Sequence, residues 1–418
     1  MKDFAKLLRG VTDCVCGKVH SCPIDHVCIG EGATQSLPEL VSSYQNIVLV
    51  ADENTYAVQG NAVERLLMGK IQSELIYPGT AVLVPDETAV DALQACVTQS
   101  TDLIIGVGSG VINDICKYVS FCRDLPYYIV ATAPSMDGYA SNGAALILGG
   151  MKISPNARPP KAIIADTLVL KDAPLEMLQA GYGDIMGKLS CLNDWKLATL
   201  INGEDFCDYV YDLTYSTVME LMPLAKDILS RDANAVGVLM EALVAVGIAM
   251  SFVGNSRPAS GSEHHLSHFF EITGIVHNRP YLPHGIDVAY SSIVTATLRQ
   301  RILNNEPCQR NFDRDFWQEK IRQVYGSVSQ GVIDLQDKLD SYRVYSENTN
   351  HSNWDEIRDC ISQAPDPAEM KSIIEGIGLK YTDFEKFYGA QVLEDAIAWG
   401  KDLKDRYTVL WLYNQYFA

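Results

Sequence analysis

Up to about residue 166 the apolar residues come in short unbroken runs separated by polar, helix-spaced stretches; beyond about 175 they recur every three or four positions. Unbroken runs of four or five suit strands buried on both faces, and strands alternating with helices build a parallel sheet. Five strands are predicted on this basis, at 47–51, 81–84, 103–105, 127–131 and 162–165, with a helix over 87–99. Residues 144–148 and 151–153 flank Gly149-Gly150 and predict a hairpin. After Lys171-Asp172-Ala173-Pro174, a start signal for a helix, the spacing stays helical to the end. The expected architecture is an N-terminal α/β domain, 1–168, with a parallel sheet and a cysteine-rich extension over 1–30, followed by an all-α domain, 169–418.

The most apolar stretch, 235–253, contains Glu241 and is read as a buried helix rather than a membrane span. With 47% hydrophobic and 20% charged residues the chain is not a disordered one. A net charge of −19 disfavours phosphate backbones, so no nucleic-acid partner is expected. The start, Met1-Lys2-Asp3-Phe4-Ala5-Lys6, carries no secretory pattern, and eleven scattered cysteines suit a reducing compartment, so a cytoplasmic protein with no membrane partner is expected. Cys14, Cys16, His20 and Cys22 offer four soft ligands in nine residues, but the spacing matches no zinc finger and closes a tight loop. The segment is read as an extension with reduced thiols.

Gly106-Val107-Gly108-Ser109-Gly110 follows a predicted strand and opens a helical pattern, Val111-Ile112-Asn113-Asp114. Such a turn brings backbone close to a pyrophosphate and points helix N–H groups at it. It is not the dinucleotide fingerprint, because Val111 stands where that pattern has its third glycine. Asp52, at the end of the first strand, is the candidate for a ribose hydroxyl, and its charge favours NAD over NADP. The next strand runs into Thr132-Ala133-Pro134-Ser135-Met136-Asp137-Gly138-Tyr139-Ala140-Ser141, a second polar loop at the same sheet edge, which suggests a ligand crevice.

Five of the eight histidines lie within 264–284. His264 and His268 share a helix face at i, i+4, and His284 follows in Pro283-His284-Gly285. Imidazoles with a carboxylate suit Zn²⁺, Fe²⁺ or Ni²⁺. Asp184, in Gly183-Asp184-Ile185-Met186-Gly187-Lys188, is an available acid, although spacing cannot assign it. His265 points away from His264, and His277 has no evident role.

These motifs, with Ser256-Arg257-Pro258-Ala259-Ser260-Gly261-Ser262-Glu263-His264 and Asp405-Arg406-Tyr407-Thr408-Val409-Leu410, resemble the sn-glycerol-1-phosphate dehydrogenases. That family lies within the superfamily of metal-dependent alcohol dehydrogenases, glycerol dehydrogenases and dehydroquinate synthases. The resemblance runs in order from about 47 to 411. It implies a Rossmann-like domain, a helical domain and an active site in the cleft between them. It implies one divalent metal (Zn, Ni or Fe) on Asp184, His264 and His284, with His268 and Asp137 on substrate and Asp184 near enough for both. It implies NAD(H) or NADP(H) along Gly108, Ser109, Gly110, Val111, Ile112, Asn113, Asp114, Thr132, Ala133, Pro134, Ser135 and Ser141. The implied reaction interconverts dihydroxyacetone phosphate and sn-glycerol 1-phosphate in a homodimer, with a small phosphorylated triose as substrate. A glycerol or polyol dehydrogenase, or a dehydroquinate-synthase-like lyase, is the alternative within the superfamily; Asp184 argues against the lyase branch, which carries Glu there. Arg257 and Lys188 are candidates for the substrate phosphate.

Overall fold

The computed structural model describes residues 2–148, 155 and 157–418, and the backbone of 151–153. By compactness the chain forms two units, one of Met1–Tyr182 with Pro223–Ser256, the other of Gly183–Met222 with Arg257–Ala418. The division therefore crosses the chain three times, where the sequence suggested a single boundary at 168/169.

The first unit is built on a six-stranded parallel sheet. Its strands are β1 His26–Gly30, β2 Ile47–Asp52, β3 Ile71–Tyr77, β4 Leu103–Gly108, β5 Tyr127–Ala131 and β8 Ala162–Asp166, in the order β1-β8-β5-β4-β2-β3. A separate antiparallel pair, β6 Leu146–Leu148 and β7 Met151–Ile153, occupies the place of the expected hairpin; Gly149 and Gly150, where its turn was expected, lie outside the described residues. Four of the predicted apolar runs are strands. The fifth, 81–84, is not: Val82 is 89% exposed and the segment has no regular structure. The strand beside β2 is β3 instead, an edge strand whose side chains alternate between partly buried and exposed, so it lacks the unbroken apolar signature. The helix after it ends at Cys96 rather than at 99.

Six helices carry the rest of the description: α1 Gly110–Arg123, α2 Leu175–Met186, α3 Lys188–Asn202, α4 Ala233–Val253, α5 Ser262–Val276 and α6 His284–Asn304. Helix α4 is apolar all round and buried accordingly, with 83% of its most hydrophobic window inside the protein. It belongs to the first unit because small residues let it press close there. A Cβ on Gly247 would stand 2.8 Å from the Ala140 Cβ and 2.9 Å from the Asp137 carbonyl oxygen. Its one acid, Glu241, accepts the Lys2 backbone N–H at 2.9 Å. The second unit consists of helices and single 3-10 turns, without a strand.

Candidate functional site

In the first unit the order in which successive strands are laid down reverses between β2 and β4, which are parallel neighbours although β3 intervenes in sequence. Ligands of open parallel sheets collect at the carboxyl ends of strands beside such a reversal. Asp52 and Gly108 end those two strands, each two residues past the last paired positions, Val50 and Gly106. Thr132 leaves β5 alongside, its N–H bonded to the Gly108 carbonyl at 3.1 Å. The glycine turn, Asp52 and the loop 132–141 thus meet at one sheet edge.

The glycines there serve packing as well as access. A Cβ on Gly108 would lie 2.7 Å from Ile112 Cβ, and one on Gly106 3.0 Å from Cys116 Sγ, so α1 sits close on β4. Helix α1 begins with no side-chain cap, and Ser109, Gly110 and Val111 are partly exposed. Its first-turn N–H groups are thereby left for an anion. Asn113 and Asp114 are turned inward. Asn113 accepts from the Tyr127 hydroxyl at 3.4 Å, and Asp114 accepts from the Ala145 N–H at 3.2 Å. Asp52 Oδ1 caps the turn that follows β2 through the Asn54 and Thr55 N–H groups, both at 2.9 Å.

Lys117, which the sequence reading passed over, organises the second loop. Wholly buried, it donates to the Gly138 carbonyl at 2.6 Å, the Gly143 carbonyl at 3.0 Å and Ser141 Oγ at 3.2 Å, and stands 3.6 Å from Asp114. Burial pushes its ammonium down from the ordinary lysine range, and Asp114 and Asp137 oppose that shift. Ser141 is therefore held by this lysine, and Asp137 opens the short 3-10 turn that the lysine fastens. An Asp114/Lys117 pair at i, i+3 with Ile112, Ile115, Cys116 and Val119 around it was the available signal.

In the second unit Asp184 near the end of α2, His264 near the start of α5 and His284 at the first position of α6 converge. One donor atom from each lies within 4.8 Å of the other two, and Asp184 Oδ1 is 3.5 Å from His264 Nε2. Two glycines permit the approach. A Cβ on Gly183 would stand 2.6 Å from the Gly285 carbonyl oxygen, and one on Gly187 2.5 Å from Val288 Cγ1.

The far nitrogen of each imidazole is taken. His264 Nδ1 faces Glu263 Oε1 at 2.7 Å; His284 Nδ1 faces Ser267 Oγ at 3.0 Å, and that hydroxyl also reaches the His284 carbonyl at 3.3 Å. Both Nδ1 atoms therefore read as N–H donors and both Nε2 atoms as lone pairs, the state a metal requires. Burial raises the Asp184 carboxyl, and the Lys188 ammonium 2.7 Å away together with both imidazoles more than reverses this, holding it well below the carboxylate range. Burial and Lys188 lower the His264 imidazole; Asp184 and Glu263 outweigh them and raise it. A buried carboxylate kept ionised beside two imidazole nitrogens suits a divalent cation, and the donor set fits zinc, nickel or iron.

His268 is partly exposed, its ring centre 5.4 Å from that of His284 and 6.3 Å from that of His264. His265 is fully buried with no partner on either ring nitrogen, and burial followed by Arg406 and Lys404 keeps it neutral. His277 ends α5 and bonds the Val324 carbonyl at 2.8 Å. Neither candidate for a phosphate is available to one. Lys188 is wholly buried on Asp184 and the Ala259 carbonyl, and Arg257 makes a two-pronged pair with Glu204. Glu263 and Ser267, which set the imidazoles, escaped notice although they neighbour the histidines at i−1 and i+3 of His264.

The first unit thus carries a parallel sheet with a switch point, and the helical unit an aspartate–bis-histidine set whose chemistry fits a divalent metal. The family model for iron-containing alcohol dehydrogenase matches residues 28–174. The chain is 30% identical over 415 residues to a glycerol-1-phosphate dehydrogenase, NAD(P)+, of Halalkalibacterium halodurans, covering 98% of this chain and 97% of the relative. It is 30% identical over 411 residues to the enzyme of that name from Bacillus licheniformis, covering 96% and 92%. A crystal structure of an archaeal halo-thermophilic Red Sea brine pool alcohol dehydrogenase shares the fold, at a TM-score of 0.63 and 15% identity, over 94% of this chain and 97% of that one. The chain belongs to the glycerol-1-phosphate dehydrogenase family.

Proposed function

We propose that this enzyme interconverts dihydroxyacetone phosphate and sn-glycerol 1-phosphate, hydride passing between C2 of the triose and a nicotinamide cofactor. The observation that carries the reading is the convergence of Asp184, His264 and His284 with both outer nitrogens fixed, in a chain similar over its whole length to glycerol-1-phosphate dehydrogenases. These three residues would hold the divalent metal. When bound there it supplies Lewis acidity toward a substrate oxygen. Glu263 and Ser267 orient the imidazoles, and Lys188 keeps Asp184 ionised. His268, partly exposed beside His284, is the proton donor to the new alcohol oxygen. Asp137 positions a substrate hydroxyl. The first-turn N–H groups of α1 receive the cofactor's pyrophosphate beside Thr132–Ser135, and Asp52 takes the ribose, which favours NADH over NADPH. A cytoplasmic homodimer completes the proposal.

The test follows NADH oxidation with dihydroxyacetone phosphate by chelator-stripped enzyme to which Zn²⁺, Ni²⁺ or Fe²⁺ is returned. Metal-restored oxidation yielding the sn-1 enantiomer is expected. No oxidation with any of the three metals sinks the substrate assignment.

A further inference from the structure

Residues 10–20 form a closed loop that precedes the sheet. Val11 and His20 exchange backbone hydrogen bonds at 2.9 and 2.8 Å, closing its base. Gly10, at φ +71°, lies so close to the His20 carbonyl oxygen that a Cβ would stand 2.2 Å away. Gly17, at φ +77°, turns the tip, its N–H bonded to the Cys14 carbonyl at 2.9 Å.

The loop has no apolar filling. Val15 is 100% exposed and Val19 65%, while Cys14 and Cys16 are partly buried and His20 is 1% exposed. A segment this short, with its valines in water and its thiols and imidazole inside, is not held by the hydrophobic effect. The inward groups are matched to one another. The Cys14 and Cys16 sulfurs and a His20 ring nitrogen lie within 4.8 Å of one another, and Cys16 Sγ is 3.3 Å from His20 Nε2. His20 Nδ1 faces the Phe252 carbonyl at 2.9 Å, with the ring against that phenylalanine. A carbonyl accepts only from N–H, so Nε2 is a lone pair aimed at the sulfurs. That is how a metal-bound imidazole is oriented.

We infer that Cys14, Cys16 and His20 bind a structural zinc ion, distinct from the metal of the Asp184 site. Binding displaces two thiol protons, and two thiolates with a neutral imidazole leave the Zn²⁺ complex uncharged. The fourth position belongs to water, or to a further thiolate, which would release a third proton and leave the complex at −1. Cys22 is not in the set, because its sulfur is not among the donor atoms that lie within 4.8 Å of one another. The ion takes the place of a core in the N-terminal loop, so the extension with reduced thiols read from spacing becomes a metal-fastened one.

Cobalt separates the two sites, because Asp184, His264 and His284 contain no sulfur. Full-length protein, reduced and stripped, is titrated with Co²⁺ without oxygen. A near-ultraviolet thiolate-to-cobalt band saturating at one equivalent is expected. It should vanish in Cys14→Ser/Cys16→Ser and persist in His264→Ala/His284→Ala. Zinc content should be two per chain in the wild type and one in each double variant. A band with one zinc per wild-type chain supports this site and counts against the catalytic metal. Absence of the band in the wild type, or a band of equal strength in the cysteine variant, overturns the inference. The wild-type titration decides even where a variant misfolds, and X-ray absorption then counts the sulfurs.

Discussion

Gly183→Ala tests whether the approach of two helices sets the metal site. The new methyl would stand 2.6 Å from the Gly285 carbonyl oxygen and 2.7 Å from Ala289 Cβ. Non-bonded carbon contacts are comfortable at about 3.5–4.0 Å, so α2 and α6 must separate locally by roughly 0.8–1.3 Å. The wedge sits one residue from Asp184 on one helix and one residue from His284 on the other. Metal–ligand distances tolerate about 0.2 Å, several times less than that separation. Overpacking should destabilise the metal-free protein by about 1–3 kcal/mol. Displacing an oriented ligand should lower metal affinity on the order of 10–100-fold.

The assay is competition with a chromophoric chelator, alongside thermal melting of the stripped protein. Gly331→Ala is the control, since a Cβ there meets nothing within 4 Å in a helix interior. It should raise stability by about 0.5–1 kcal/mol and leave metal affinity unchanged. Metal affinity of Gly183→Ala within threefold of wild type would refute the claim that this contact positions the ligands.

Lys117→Met removes three hydrogen bonds from the 138–143 loop and leaves Asp114 without its ammonium. NADH affinity, read by fluorescence titration, should fall at least tenfold, with a stability loss of about 3–5 kcal/mol. His268→Gln should lower turnover on the order of 10²–10⁴-fold while metal and NADH affinity hold; unchanged turnover would remove the proton-donor role. Asp287 is buried under the Tyr388 hydroxyl, which reaches both carboxylate oxygens at 2.9 Å and also accepts the Leu282 N–H at 3.0 Å. Burial raises this carboxyl well above its ordinary value, against the Tyr388 bond. The folded state then binds the proton more tightly than the unfolded one, so wild-type stability falls as pH rises from about 4 through the folded value. Asp287→Asn keeps an acceptor for Tyr388 and loses the charge. Its melting temperature should match wild type in acid, exceed it by a margin that grows across that window, and keep that margin above it; a constant difference across all pH would contradict the assignment.

Strands β2, β4, β5 and β8 were legible because they are buried on both faces and read as continuous apolar runs. The two edge strands were not. β3 alternates, and β1, His26-Val27-Cys28-Ile29-Gly30, is short and only partly buried. The run at 81–84 misled for the opposite reason: valine and leucine there are apolar without being enclosed, and burial is a property of the fold rather than of the residue. Helix α4 announced its burial but not its neighbours. Nothing in an all-apolar helix says which core it fills, and its small residues decided that by fitting against residues 137–140.

The site was legible where chemistry is rare in sequence and obscure where it is common. Histidines crowded into 264–284 stand out, yet spacing alone offered the i, i+4 pair His264 and His268. The resemblance to a family, not periodicity, supplied Asp184 and His284, and the structure brings those two to His264 and leaves His268 beside them. What no spacing rule reaches is the support. Lys188, a candidate for the substrate phosphate, and Lys117, to which the sequence assigned no role, are wholly buried. A buried ammonium persists only where carboxylates and carbonyls already face it. Both lysines meet that condition, Lys188 against Asp184 and the Ala259 carbonyl, Lys117 against Asp114 and two loop carbonyls. Each fixes an acid or a loop by charge in a place where a neutral side chain would leave that acid uncompensated. The identity of these positions is thus dictated by partners distant in sequence or turned inward from the same helix.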